Sequence, residues 1–119
     1  MELLIYSERY KESDTISFFK DCYYSLHMTH LASDLLDKGL STDQITEAVA
    51  IAMKIANSSG LEAVQHFMPV YSGKGHHIIQ DCKLSHLAYG LVLLNAEANL
   101  PIVGEFQVNL LKRYLDNYY

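Results

Sequence analysis

Residues 81–94 read Asp81-Cys82-Lys83-Leu84-Ser85-His86-Leu87-Ala88-Tyr89-Gly90-Leu91-Val92-Leu93-Leu94, and the fold reading turns on them. Asp81 is placed to cap a helix, since its carboxylate can accept the free backbone N–H groups of a first turn. Leu84, Leu87, Ala88, Leu91 and Leu94 then recur at helical spacing. The near-continuous apolar run from Leu87 to Leu94 implies burial on more than one side, which makes this the predicted central helix.

Upstream, Leu61 to Phe67 has room for two helical turns, closed by Pro69, which pushes Met68 out of the helical region. Val70 to Gln80 reads as irregular and holds Tyr71-Ser72-Gly73-Lys74-Gly75-His76-His77. Ile78 and Ile79 suit a short strand, as do Leu3 to Tyr6, so a minor two-stranded pairing is conceivable. Ser41-Thr42-Asp43-Gln44 is a capping box, opening a helix with the stripe Ile45, Ala48, Val49, Ala52, Met53 and Ala56. Asn57-Ser58-Ser59-Gly60 stops it, and its alanines predict close helix contact. The first helix starts near Ser13 or Asp14 and runs to Gly39, its stripe being Ile16, Phe19, Tyr23, Leu26, Leu31 and Leu35. A last helix opens at Pro101 and places Val103, Phe106, Leu110, Leu111 and Tyr114 inward. The expected fold is a single domain, residues 1–119, mostly all-α, a compact bundle of about five helices.

A chain of 119 residues, half of them hydrophobic, is long enough to bury one core and too apolar to stay disordered. No apolar run approaches the roughly 18 residues of a membrane-spanning helix, so no membrane role is expected. The start Met1-Glu2-Leu3-Leu4 lacks a secretory pattern and only Cys22 and Cys82 occur, which predicts a cytoplasmic protein with reduced thiols. Nine Lys and Arg against fourteen Asp and Glu give a net charge of -5. Nucleic-acid affinity comes mainly from cations that neutralise phosphates, so the bulk charge favours a protein partner, one with a basic surface.

Gly73-Lys74-Gly75 lacks the glycine spacing and following Ser or Thr of a phosphate-binding loop, and His76 and His77 stand there instead. A glycine turn is the simpler reading. Lys74, His76, His77 and Lys83 make a candidate anion-binding patch at the start of the central helix, and with His86 they are the candidate binding residues. His27 with His30, and Cys82 with His86, are spaced one helical turn apart, but neither pair carries a zinc signature, so no metal is predicted. Asp81, Cys82 and His86 have the residue types of a nucleophilic set, which ordinary helix-start chemistry explains equally well. No catalytic residue and no cofactor are predicted, and the chain is expected not to be an enzyme.

From Asn57 onward the order of features is Asn57-Ser58-Ser59-Gly60, His66-Phe67, a glycine-containing loop, Asp81-Cys82-Lys83-Leu84-Ser85-His86-Leu87-Ala88-Tyr89, then Leu91-Val92, Asn95, Pro101, Val103 and Gln107. Over roughly residues 43–112 this resembles the DNA-damage-inducible protein D family and the related BRO-type phage antirepressors. In those proteins a short helix ending in His-Phe leads through a basic glycine-containing loop to an Asp-x-x-Leu-Ser-Arg-Tyr-Ala stretch, a helix, a turn and a helix bearing Gln. His86 stands where the arginine is usual, and Pro101 is displaced from the turn. The first 40 residues have no counterpart in the resemblance.

The resemblance implies a small regulator of phage or mobile-element origin and no chemistry. The expected function is a non-enzymatic regulator or inhibitor, an antirepressor or counter-defence protein, that binds a repressor, recombinase or defence factor. The alternative is a DNA-binding transcription regulator acting as a dimer, with Lys74, Lys83 and His86 on phosphates. A homodimer through the tyrosine-rich ends, Tyr6 and Tyr10 with Tyr114, Tyr118 and Tyr119, is left open.

Overall fold

The structure, a computed structural model, describes residues 12–74 and 76–119. It overturns the expected all-α bundle. Among the described residues, four α-helices and two 3-10 helices accompany a three-stranded antiparallel sheet, a mixed α/β fold. Helix α1 spans Glu12–Leu26, strand β1 is His30–Leu31, and a 3-10 helix covers Ala32–Lys38. Helix α2 is Thr42–Ser58, followed by a 3-10 turn at Ala63–Gln65. Strands β2, Phe67–Lys74, and β3, His77–Leu84, lead to α3, His86–Leu94, and α4, Pro101–Tyr118.

The main correction is the hairpin. Phe67 pairs with Leu84 and the ladder runs without a break to Lys74 opposite His77, with two residues left to turn the chain. That is the length of a tight hairpin loop. The two helical turns expected from Leu61 to Phe67 shrink to the 3-10 turn at Ala63–Gln65, and Pro69, expected to end them, lies instead within β2, an edge strand where a missing N–H is tolerated. Strand β1 adds only two rungs to the other side of β3, His30 opposite Leu84 and Leu31 opposite Lys83. The strand expected at Leu3 to Tyr6 lies outside the described residues.

The predicted central helix begins later than its spacing suggested. Leu84, fully buried, is the last rung of β3, and Ser85 rather than Asp81 caps α3, its hydroxyl accepting from Ala88 N at 3.0 Å. Asp81 caps a different element. Its Oδ1 accepts from Ser33 N at 3.0 Å, where the chain leaves the pairing of β1 and winds into the 3-10 helix. A helical first turn has unpaired N–H donors, and here a strand residue across the sheet supplies the acceptor.

The first predicted helix divides in two. It stops at Leu26, and Ala32 to Lys38 form the separate 3-10 helix that Gly39 ends with a φ of 100°, the left-handed position foreseen for it. Leu35 reaches the core, but Ile16, Phe19, Tyr23 and Leu26 are all exposed. The capping box of α2 is present in both directions, Ser41 N to Gln44 Oε1 at 2.9 Å and Gln44 N to Ser41 Oγ at 3.2 Å. Ala48, Ala52 and Ala56 are buried and let α2 lie close against α3. Leu35, Leu84, Val92 and Val103 form the fully buried centre of the core, with Phe67 beside them. Only the start of α4 joins it: Val103 is buried and Phe106 packs on the core, while Leu110, Leu111 and Tyr114, expected inward, are exposed.

Candidate functional site

The five candidate binding residues fall into two groups. Lys74 and His77 form the last rung of the hairpin, with His76 in the turn, and both histidines are exposed. Lys83 and His86 lie at its base. Six residue steps along β3 take the chain from His77 to Lys83, about 20 Å at the rise of an extended chain. A single anion patch over Lys74, His76, His77 and Lys83 is therefore not assembled.

The base residues are engaged within the protein. Lys83 Nζ donates to Ser25 Oγ at the end of α1, 3.1 Å away. His86 Nδ1 and His30 Nε2 share a hydrogen bond of 3.1 Å, and the His30 ring stacks on Tyr89 at 4.4 Å between centroids. Ser85 has four bonds: its amide donates to His66 O at 2.9 Å, its carbonyl accepts from Tyr89 N at 2.9 Å, its hydroxyl accepts from Ala88 N, and the same hydroxyl meets His66 Nδ1 at 2.7 Å. His27, expected beside His30 on one helix face, instead lies beyond the end of α1 with its ring against Tyr23. Among the described residues, no three His, Cys, Asp or Glu side chains gather to hold a metal ion.

Asp81, Cys82 and His86 do not form a nucleophilic set. His86 turns to His30, and Asp81 Oδ1 accepts the amides of Ser33 and Cys82, the latter at 2.8 Å. Burial pushes the Cys82 thiol above its ordinary pKa, and the charge of Asp81 adds to this, so the reactive thiolate is disfavoured. For Asp81 itself burial acts to raise the pKa, but the hydroxyls of Ser33 and Ser72 and the amides of Cys82 and Ser33 outweigh it and hold the carboxyl below its ordinary value. Asp81 Oδ2 and Ser33 Oγ, both shut off from solvent, lack a hydrogen bond of good geometry. They border a cavity of about 210 Å³ between the 3-10 helix, α2 and β3. Pockets for drug-sized ligands run from roughly 300 Å³ upward, so this one has room only for waters or a very small molecule.

What the residue pattern did not reveal is the outer half of the hairpin. Phe67, Pro69, Tyr71 and Gly73 share one face of β2, and Leu84, Cys82, Gln80 and Ile78 stand opposite on β3. At the base this face is core, Phe67 5% and Leu84 0% exposed; at the tip it is bare, with Tyr71 72% and Ile78 78% exposed. Tyr71 and Ile78 are diagonal neighbours, close enough for the ring to reach the aliphatic chain. Among the described residues, the outer edge of β2 carries no further strand, and β1 covers β3 only at Lys83 and Leu84. The only alternation in β3 is Cys82-Lys83-Leu84 at its base, while Ile78-Ile79 and Gln80-Asp81 show none.

Compared with known proteins, the chain matches no family model, no curated protein and no solved structure. No helix among the described residues is long and apolar enough to cross a membrane.

Proposed function

We propose that this chain is a non-enzymatic binding protein, a regulator or inhibitor in phage or mobile-element systems that grips a cytoplasmic protein partner with its β2–β3 hairpin. The observation that carries the reading is the face just described, core at Phe67 and Leu84 and solvent-exposed at Tyr71 and Ile78. An apolar strip beside an unpaired strand edge suits a partner that adds a strand or lays an apolar segment across it, main-chain bonds giving affinity and side chains specificity. His76 and His77 at the tip supply polar contacts at the rim. The resemblance over residues 43–112 supports a repressor, recombinase or defence factor as the partner.

Capture from nuclease-treated host lysate tests this, using the full tagged chain beside Tyr71→Ser/Ile78→Ser and Lys74→Ala/His76→Ala/His77→Ala variants. Tyr71 and Ile78 are exposed, so their replacement leaves the core intact. A stoichiometric, salt-resistant protein that the wild type retains and both variants lose is the expected result. Equal capture by the variants refutes the hairpin as the contact. Recovery only of duplex DNA, released by nuclease or by rising salt, replaces the reading with a DNA-binding one.

A further inference from the structure

Helix α4 is 18 residues long, about 27 Å, and only its first two turns touch the body of the protein. Every residue from Val108 to Tyr119 is exposed. Gly104, Val108, Leu111, Leu115 and Tyr118 follow one another at intervals of four, three, four and three, the heptad seam along which one helix packs on another. Val108 is 52%, Leu111 57%, Leu115 44% and Tyr118 71% exposed, so the seam has no partner within the described chain. A free helical segment this short is marginal in water, and packing against a neighbour is what ordinarily sustains one.

We propose that α4 pairs antiparallel with α4 of a second copy of this chain. Placing Val108 opposite the copy's Leu111, and Gly104 opposite its Leu115, sets Tyr118 over the copy's Pro101 and gives the two-fold symmetry of most homodimers. In that register Glu105 and Lys112, which flank the seam on the same side, face each other across the interface twice. A parallel pair sets Lys112 beside Gln107 and forms no such ion pair, so the charges select the antiparallel arrangement. Tyr114, exposed beside the seam, widens the contact. Taking about 150–250 Å² for a whole large side chain, the exposed parts of Val108, Leu111, Tyr114, Leu115 and Tyr118 offer roughly 550 Å². That matches the largest apolar patch of a typical monomer and falls short of the ~800 Å² per partner of a standard interface, so the dimer expected is a weak one.

Sedimentation of the full chain over a range of concentrations tests the pairing. The wild type is expected to pass from monomer to dimer as its concentration rises, and Leu111→Asp to remain a monomer throughout with an unchanged circular dichroism spectrum from the body. Glu105→Lys and Lys112→Glu singly are each expected to weaken the dimer about tenfold by setting like charges opposite one another, and the double exchange to restore it to within about threefold. A wild type that is monomeric at all concentrations, a Leu111→Asp protein that dimerises normally, or a double exchange as weak as the singles overturns the proposal.

Discussion

Replacing Ser85 with alanine probes the joint between the sheet and α3. Ser85 is only 9% exposed and Ala88, whose amide its hydroxyl caps at 3.0 Å, is fully buried, so that N–H has no water to turn to when the oxygen is removed. Loss of a serine cap costs about 1 kcal/mol and more where the orphaned donor stays dry. The same oxygen bonds His66 Nδ1 at 2.7 Å, a contact worth about 1 kcal/mol. The combined loss is about 2 kcal/mol. With a urea slope of about 2 kcal/mol per molar for a domain of this size, the unfolding midpoint is expected to fall by about 1 M at unchanged slope. The backbone bond from Ser85 N to His66 O does not depend on the side chain, so the two segments stay in register and the cost is that of the hydroxyl alone. A cycle with His66→Ala separates the two parts: the coupling between the substitutions is expected to be about 1 kcal/mol. A midpoint shift below about 0.3 M, or costs that add without coupling, refutes this account of the joint.

Asp81 links stability to acid. Its carboxyl lies below its ordinary value of 3.8 in the folded protein, so its contribution is fully present above that pH and is lost as pH falls through the folded value. Asp81→Asn keeps an acceptor for the amides of Ser33 and Cys82 but removes the charge, and the stability gap between it and the wild type, from urea melts across the acid range, is expected to be constant near neutrality and to close below about pH 4. A gap independent of pH contradicts the assignment. The two cysteines separate kinetically: exposed Cys22 is expected to react with a maleimide at least about tenfold faster than Cys82, whose thiol is partly buried and held protonated, as mass spectrometry of timed samples reads directly.

Local chemistry was legible in the sequence, and long-range pairing was not. The Ser41–Gln44 box, the left-handed Gly39 and the opening of α4 at Pro101 are each decided by a few adjacent residues. The hairpin was hidden because Phe67-Met68-Pro69-Val70 is apolar on both faces of the strand and shows no clean alternation, while Gly73 and Gly75 read as a loop. Leu84 and Leu87 happen to stand a helical turn apart although one ends a strand and the other begins a helix. Asp81, expected to cap the helix that follows it, instead accepts from Ser33 48 residues earlier, and no spacing rule reaches that far. The same limit applied to the candidate site: Lys83 and His86 are taken up by Ser25 and His30, distant in sequence. In α1 and α4 periodicity correctly announced amphipathic helices but says nothing of what the apolar side meets.

Several polar residues between His66 and Gln107 share one role in this structure. His66 and Ser85 tie the turn before β2 to the start of α3, Asn95 Nδ2 donates to Leu91 O at its end, and Gln107 of α4 donates to Leu94 O at 2.8 Å, closing the last turn of α3 from outside. Pro101 opens the helix that carries Gln107. Each of these bonds satisfies a backbone or ring group that a helix end or a strand-to-helix junction leaves unpaired. They specify how α3 is held between the hairpin and α4, and they do so without lining the cavity or reaching the hairpin tip. His86, standing where the resembled proteins carry arginine, follows the same logic, because its ring is turned to His30 inside the protein. A chain that keeps this set of joints keeps a frame, from which two arms extend: the outer hairpin with Tyr71 and Ile78, and the outer half of α4 with Val108, Leu111 and Leu115. Neither arm takes part in holding α3, so substitutions at Tyr71, Ile78 or Leu111 are expected to leave the stability of this frame nearly unchanged.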